Sequence, residues 1–417
     1  MSKPCVKLSS AHASPASFAA APAAAATWIR RRFARSRAWF LLATTLLVLS
    51  ARAAEPAGEK PSQRLLYVAV PGIRDYLEYG GHGLLVFDIE DGHKFLRRIK
   101  TAGRNAAGKP LNVKGICASA ATDRIYISTL ETLTCLRLST DELLWERRYE
   151  GGCDRMSITP DGKVIYLPSL EKAHWHVIDA ASGEVLAKIT PDSGAHNTVV
   201  GLDGKWAYLA GLKSPLVTVA DTATHAAART IGPFFSAVRP FTVDGRQTRL
   251  FACVNGLLGF EVADIASGKV LHRVKVEGFK TGIPKRHGCP SHGIGLTPDE
   301  REIWLCDAAN QRLHIFDATL SPPRQRESIA TRDEPGWITF SLDGRFAYPS
   351  TGEVIDAATK QIIATLSDET GAAVHSEKLL EVQFAGGKPI RNGDQFGVGR
   401  VAESTLEGGK VKSGDQR

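Results

Sequence analysis

Residues 159–189 read TPDGKVIYLPSLEKAHWHVIDAASGEVLAKI and contain the most complete copy of a repeat that recurs along the chain. The segment opens with a tight turn at 159–163, continues with the β-prone run VIYL at 164–167, and reaches a second run, HVID, at 176–179. A Ser-Gly turn then leads to a last run at 185–189. Asp-Gly and Ser-Gly pairs between short apolar runs are typical of β-hairpins. The segment is therefore predicted to be a small antiparallel sheet.

The same pattern occurs seven times, with copies mostly 38–55 residues apart. Four copies follow the first one, with turns at Asp203-Gly204, Asp244-Gly245, Pro298-Asp299 and Asp343-Gly344, and two weaker copies precede it around residues 65–92 and 123–138. Each copy holds four short β-runs. A four-stranded sheet cannot bury both faces alone, whereas sheets stacked radially bury each other and leave only short edges. The sequence therefore predicts an all-β fold, a seven-bladed β-propeller of four-stranded antiparallel blades.

The two ends of the repeat region predict how the ring closes. The first copy lacks an innermost strand before Arg64, and the run KLLEVQF at 378–384 has no blade of its own. We expect this C-terminal run to join the first blade as its missing strand. The propeller is thus predicted to span residues 64–397, with a flexible C-terminal tail at 398–417.

The N-terminal region has the layout of a secretory signal peptide. Five arginines between 30 and 37 precede a 13-residue apolar run at 38–50, and Ala51-Arg52-Ala53 supplies a small-x-small cleavage pattern. A membrane span needs about 20 apolar residues, so we expect a cleaved leader at 1–53, a short linker at 54–63, and no stable membrane insertion afterwards. The mature protein is predicted to be periplasmic or secreted.

Charge and cysteine content exclude several classes of protein. Eight of the 52 Lys and Arg residues, and no Asp or Glu, lie in residues 1–53, which leaves 44 basic residues against 44 acidic ones. No nucleic-acid partner is therefore expected. The absence of any CxxC pair excludes zinc ribbons and haem attachment. Equivalent cysteines such as Cys253 and Cys306 would lie about 10 Å apart on facing sheets, too far for a disulfide, so we expect buried free thiols.

The repeat TPDGKVIYLPS…WHVIDAASGEVLAKI resembles the YVTN-type repeats of bacterial seven-bladed propellers. That broad group includes lactonase-like propellers and the propeller subunits of quinoprotein amine dehydrogenases. The resemblance covers about residues 64–385. Three other segments are similar to an exported bacterial subgroup of unassigned function: DYLEYGGHG at 75–83, HGCPSH at 287–292 and NGDQFG at 392–397. The resemblance implies the fold and export, and it brings no activity with it.

A candidate metal site follows from aligning the repeats on their turns. Asp154, His196 and His292 each precede the turn by five residues, in the third, fourth and sixth copies. Equivalent positions on innermost strands converge on the axis, and two imidazoles with a carboxylate suit a divalent metal ion or general acid–base chemistry. The alternative is that these residues are the polar lining of a solvated channel, because the fourth and sixth blades are not neighbours.

Candidate ligand-binding residues lie near the same irregular face, opposite the Asp-Gly turns. Converging cations would hold an anion, a long loop at 71–83 would cap the channel, and a tryptophan would stack on a ring. These candidates are Lys114, Arg239, Lys378, Trp337, Tyr76, Glu78 and His82. The alternatives are isolated surface charges, a loop packed over the closure seam, and an aromatic residue wedged between blades.

Two functions fit these patterns. The first is an exported binding or scaffolding protein that recognises a small ligand or a protein partner on the irregular loop face, where function concentrates on a rigid scaffold. The second is an enzyme, either a lactonase-like or lyase-like hydrolytic propeller or a subunit of a quinoprotein-like redox complex, with a metal site at the channel mouth. The fold alone does not choose between them.

Overall fold

The computed structural model describes residues 61–101 and 103–401, and over these residues the chain forms seven antiparallel sheets in a ring and a single short 3₁₀ helix. The predicted seven-bladed propeller is confirmed. The expected leader and most of the expected linker lie outside the described residues, as do residues 402–417. Within the described part, no helix has the length and apolar character to span a bilayer.

The elements, in chain order, are β1 (Gln63–Val70), β2 (Gly83–Asp88), β3 (Lys94–Ile99), β4 (Val113–Ser119), the 3₁₀ helix (Ala120–Thr122), β5 (Arg124–Thr129), β6 (Thr132–Arg137), β7 (Leu143–Arg148), β8 (Ser157–Ile158), β9 (Val164–Pro168), β10 (Trp175–Asp179), β11 (Val185–Ile189), β12 (Ala195–Val200), β13 (Trp206–Gly211), β14 (Val217–Asp221), β15 (Ala226–Ile231), β16 (Val238–Val243), β17 (Arg249–Val254), β18 (Gly259–Asp264), β19 (Val270–Lys275), β20 (Ser291–Leu296), β21 (Glu302–Asp307), β22 (Arg312–Asp317), β23 (Arg324–Ala330), β24 (Ile338–Phe340), β25 (Phe346–Pro349), β26 (Glu353–Asp356), β27 (Ile362–Thr365), β28 (Leu379–Ala385) and β29 (Lys388–Asn392). Blade 1 contains β28, β1, β2 and β3, with β29 as an extra strand. Blades 2 to 7 take four successive strands each, from β4 to β27, and the first strand of each is the innermost.

The Asp-Gly turns are fixed by local hydrogen bonds and by contact with the neighbouring blade. The Asp161 carboxylate accepts hydrogen bonds from Thr159 Oγ1 at 2.6 Å and from the Lys163 backbone N–H at 3.1 Å. Gly162 has φ 70°, a conformation that disfavours other residues. A Cβ at this position would also stand 2.1 Å from Ser119 Oγ in blade 2. The turn therefore needs glycine for conformation and for packing between blades.

The core lies between the blades, and each pair of neighbouring blades in the described part shares one apolar cluster. Between blades 7 and 1, for example, Leu66 and Phe87 pack with Tyr348 and Val354, all of them buried. This stacking supplies the burial that a single sheet cannot obtain. The six described cysteines are free and buried, as their spacing predicted.

The ring closes as the sequence predicted. Strand β28 pairs antiparallel with β1, so that Leu65 faces Val382 and Tyr67 faces Leu380 in register. The innermost strands of all neighbouring blades contact one another around the axis, including β28 with β4 and β24 with β28. Strand β29 was not predicted, and it extends blade 1 by pairing with β28.

The C-terminal segment after β29 lies across the ring on the face of the Asp-Gly turns. The Gln395 side-chain carbonyl accepts from the Ile116 N–H in blade 2 at 3.1 Å. The Gly397 carbonyl accepts from Thr242 Oγ1 in blade 5 at 2.8 Å and from the Leu296 N–H in blade 6 at 2.8 Å. These contacts reach across the axis and continue to Arg400, whose N–H donates to Pro298 O at 3.0 Å. The start of the expected flexible tail, 398–401, is therefore bound to the ring.

The closure seam is the contact between blade 7 and blade 1. We expect it to lose stability in acid because of His93. This side chain is buried, its Nε2 lies 2.9 Å from the Tyr348 hydroxyl across the seam, and burial together with Arg64 lowers its pKa to about 4. The unfolded chain therefore binds more protons between pH 6.5 and 4, so stability falls as the pH falls through that window. For a pKa shift of this size, the free energy of unfolding falls by about 2–3 kcal/mol across that pH window.

Chemical denaturation measured at several pH values tests this expectation. His93→Gln keeps a hydrogen-bonding group near Tyr348 but does not titrate, so its stability should fall less between pH 6.5 and 4. His225→Gln is the matched control, because His225 Nδ1 lies 2.9 Å from the Tyr166 hydroxyl at a more open position. Parallel pH profiles for the wild type and His93→Gln would contradict the expectation.

Candidate functional site

A cavity of about 880 Å³ opens on the irregular face, opposite the Asp-Gly turns and the C-terminal segment. Its walls come from the starts of the innermost strands, from the loops that precede them, and from the loops between the second and third strands of blades 2, 3 and 4. The charged and imidazole side chains that line it are Arg74, Asp75, Lys114, Arg155, Glu171, Lys172, His196, Lys213, Arg239, Arg286, His287, His292, Glu377 and Lys378. Eight of these are Lys or Arg and three are Asp or Glu. The cavity therefore has a strongly positive lining in a domain whose overall charge is balanced.

Four of the lining residues lie at irregularities in the innermost strands. The pairing register shifts around Lys114 in β4, His196 in β12, Arg239 in β16 and His292 in β20. A bulge bends a strand and re-aims the side chain of the extra residue. The repeated bulge therefore explains why equivalent positions in four blades all face the cavity.

Asp154 and His196 form a buried pair at the wall of the cavity. His196 Nδ1 lies 2.6 Å from Asp154 Oδ2, and Lys114 Nζ lies 3.6 Å from Asp154 Oδ1. Burial by itself would raise the pKa of Asp154, but the neighbouring His196 and Lys114 hold it well below its usual range. Burial lowers the pKa of His196 despite this carboxylate. His196 is therefore neutral and donates its Nδ1 hydrogen to an ionised Asp154.

Arg155 connects this pair to a second buried pair. Its Nη1 donates to His196 Nε2 at 3.1 Å, and its Nη2 donates to Glu377 Oε2 at 2.5 Å. Lys378 Nζ donates to the same carboxylate oxygen at 2.5 Å and to the Gly72 carbonyl at 2.9 Å. Burial would raise the pKa of Glu377, but Lys378 and Arg155 hold it well below its usual range. Burial lowers the pKa of Lys378 to about 7, although Glu377 opposes this shift.

His287, His292 and Glu377 form one compact buried group in the described part of the chain, with one possible ligand atom from each residue within 4.8 Å of the others. The two imidazole rings are stacked with their centroids 4.7 Å apart. Burial lowers the pKa of both histidines, so both rings are neutral. This group belongs to the cavity wall, since all three residues line it.

The structure divides the three predicted metal ligands between the Asp154–His196 pair and the His287–His292–Glu377 group. Asp154 and His196 lie together, because blades 3 and 4 are neighbours, whereas His292 joins His287 and Glu377 instead. Arg155 lies between His196 and His292. Its guanidinium donates a hydrogen bond to His196 Nε2 and lies 4.8 Å from the Trp337 ring centroid. The three residues predicted as one metal site therefore do not form one ligand set.

The predicted ligand-binding residues are also divided. Lys114, Arg239 and Lys378 line the cavity, as expected from their positions. Trp337 does not line it: it is buried beneath Arg155, and its indole N–H donates to the Gln395 carbonyl. Tyr76, Glu78 and His82 do not line it either. The loop at 71–83 contributes Ile73, Arg74 and Asp75 to the cavity instead.

Sequence reasoning missed Arg155, Glu377 and His287 as site residues. Arg155 follows Asp154 and Glu377 precedes Lys378, so the chain order alone placed both beside predicted residues. His287 lies in the long loop between β19 and β20, for which the repeat gives no equivalent position. His287 precedes His292 by five residues, and this short separation was the feature of the sequence that could have indicated a shared site.

Comparisons with known proteins show the fold and no more. Neither a protein-family model nor a curated protein sequence matches this chain. Solved structures do match. One is the dihydro-heme d1 dehydrogenase NirN in complex with DHE, which is 14% identical with a TM-score of 0.55 over 80% of this chain and 72% of that one. Another is the hydrazine synthase of Kuenenia stuttgartiensis, which is 15% identical with a TM-score of 0.41 over 63% of this chain and 96% of that one. Membership of the YVTN-type group stays a prediction.

Proposed function

We propose that this propeller is an exported binding protein that holds a small anionic molecule in its axial cavity. The observation that carries the proposal is the charge of the lining, with eight cationic side chains against three carboxylates. The cavity volume lies within the range of small-molecule sites, which are concave and largely preformed. The concave shape favours a small ligand over a protein partner, which would need a broad exposed surface.

The ion pairs around the buried carboxylates of Asp154 and Glu377 support the same proposal. Lys114, Arg155 and Lys378 face only two carboxylates, those of Asp154 and Glu377, within the connected chain of contacts. An uncompensated charge is costly to bury. An anion in the cavity would supply the missing negative charge and accept charge-assisted hydrogen bonds. The network is thus expected to be most stable when an anion is bound.

Isothermal titration calorimetry with citrate and with inorganic phosphate tests the proposal. Arg239→Ala should weaken the binding of whichever anion binds by about tenfold or more, since a hydrogen bond to a charged group contributes about 1.5–3 kcal/mol. Arg301→Ala is the matched control, because it removes the same charge from an exposed turn on the opposite face. Equal weakening in both variants, or no binding of either anion to the wild type, would contradict the proposal.

A catalytic role is the second candidate, and the His287–His292–Glu377 group favours it. Neutral imidazoles beside a carboxylate in a cavity can transfer protons or bind a metal ion. The His196–Asp154 pair is a poor general base, because His196 Nε2 already accepts a hydrogen bond from Arg155. Hydrolysis of lactone substrates by the purified protein, abolished in His292→Ala and retained in Arg301→Ala, would support a lactonase-like activity.

A further inference from the structure

The three side chains His287, His292 and Glu377 have the composition of an open metal site. Their donor atoms lie within 4.8 Å of one another, all three side chains are buried, and all three line the cavity. Two imidazoles with one carboxylate suit Zn(II) and Fe(II) sites in which further coordination positions are left to water or substrate. Here those positions would face the cavity.

His292 is already oriented as a ligand. Its Nδ1 lies 3.0 Å from the Gly336 carbonyl oxygen, which can only accept a hydrogen bond. The ring hydrogen is therefore on Nδ1, and Nε2 carries a free lone pair. Histidines that bind metals usually donate their other ring N–H to a carbonyl or carboxylate in this way.

His287 contributes a buried nitrogen that lacks a partner. Its Nε2 is enclosed and has no hydrogen-bond partner in the described structure, while its Nδ1 lies 3.4 Å from Glu377 Oε1. Gly336 packs directly against this ring: a Cβ there would stand 2.1 Å from His287 Cε1, 2.3 Å from His287 Nε2 and 2.7 Å from Glu377 Oε1. A buried polar atom without a hydrogen-bond partner indicates a missing partner at that point.

Glu377 is held so that one oxygen is free for the site. Arg155 and Lys378 both bond its Oε2, which leaves Oε1 directed toward His287. Ligating carboxylates are commonly fixed by such outer hydrogen bonds. The two cations also repel a metal ion, so we expect weaker binding than at a closed structural zinc site.

We propose that His287, His292 and Glu377 bind one divalent transition-metal ion at the inner wall of the cavity. The ion is within reach of any molecule that enters the cavity from the irregular face. The proposal does not depend on the anionic ligand proposed above, because its ligand set and its test involve the metal alone.

Zn(II) titration by calorimetry, on protein first stripped with a chelator and dialysed, tests the site. We expect one Zn(II) per chain, with the dissociation constant raised at least tenfold in His287→Ala and in His292→Ala. His174→Ala is the control for adventitious binding, because His174 Nε2 lies 3.1 Å from His176 Nε2 outside the proposed site. Unchanged affinity in His292→Ala, or loss of binding in His174→Ala, would overturn the proposal.

Two further measurements keep the test decisive if a histidine variant fails to fold. Gly336→Ala removes no ligand but would displace the His287 ring and Glu377 Oε1, which its Cβ would approach within 2.1–2.7 Å, and it should also weaken Zn(II) binding at least tenfold. X-ray absorption of the Zn(II)-loaded wild type should show imidazole and oxygen donors without sulfur. A sulfur shell would place the ion on the free cysteines, and no Zn(II) binding above that of buffer would likewise reject the site.

Discussion

A chain that ends at Lys378 is expected to lose its cooperative unfolding transition. The deletion removes β28, the innermost strand of blade 1, together with β29. It also removes the crossing segment, residues 393–401, which lies across the ring. Four deleted side chains, Leu379, Leu380, Val382 and Phe384, are buried. Burial of such a side chain contributes about 1.5–3 kcal/mol, so their loss is comparable with the whole stability of a typical domain, about 5–15 kcal/mol. The pairing partners in β1 would also become an exposed edge.

Circular dichroism melting and urea denaturation measure this loss. The control is a chain that ends at Val401, which keeps β28, β29 and the described part of the crossing segment, and which we expect to melt close to the temperature of the full chain. A third chain that ends at Asn392 keeps both strands but lacks the crossing segment, and we expect an intermediate stability. If the chain that ends at Lys378 melted at the wild-type temperature, pairing of β28 with β1 would not be what holds the ring together.

The fold was predictable because its determinants are local and repeated. In the turn around Asp161 and Gly162, the carboxylate accepts hydrogen bonds from a hydroxyl two residues before it and from a backbone N–H two residues after it, and the same chemistry recurs at Asp299 and Asp343. Closure was predictable because one strand was missing at one end and one run was left over at the other. Strand β29 and the crossing segment have no counterpart in the repeat, so the repeat could not predict them.

The site was predictable only in part, because it depends on contacts between blades. The repeat alignment placed His196 and His292 at equivalent positions, and in the structure both lie at bulges near the starts of innermost strands and line the cavity. It could not show that Arg155 would fill the space beside His196. It also could not show that His287, from a loop without a repeat equivalent, would stack on His292. Such pairings arise from the arrangement of the ring and from loop conformation, which periodicity does not encode.

Arg64→Met is expected to destabilise the closed ring by about 3–5 kcal/mol, the cost of leaving a buried charge unpaired. Arg64 Nε donates to Glu381 Oε1 at 2.8 Å, and Glu381 is fully buried in the closing strand. Arg64 also contacts Asp343 of blade 7 at 2.6 Å, so it joins the two sides of the seam. Arg137→Met is the control, because the Arg137–Glu142 pair is exposed and such pairs contribute about 0–1 kcal/mol.

The double variant Arg64→Met/Glu381→Gln separates the pair interaction from the cost of an isolated carboxylate. Glu381 also accepts from the Leu342 N–H at 2.7 Å and from Gln383 Nε2 at 2.8 Å. A neutral glutamine can still accept at its one carbonyl oxygen, so the double variant should be more stable than Arg64→Met alone. Urea denaturation of the wild type, of Arg64→Met, of Glu381→Gln and of the double variant gives the coupling free energy. Equal destabilisation by Arg64→Met and Arg137→Met would mean that the seam depends on apolar packing and strand pairing, with no contribution from this ion pair.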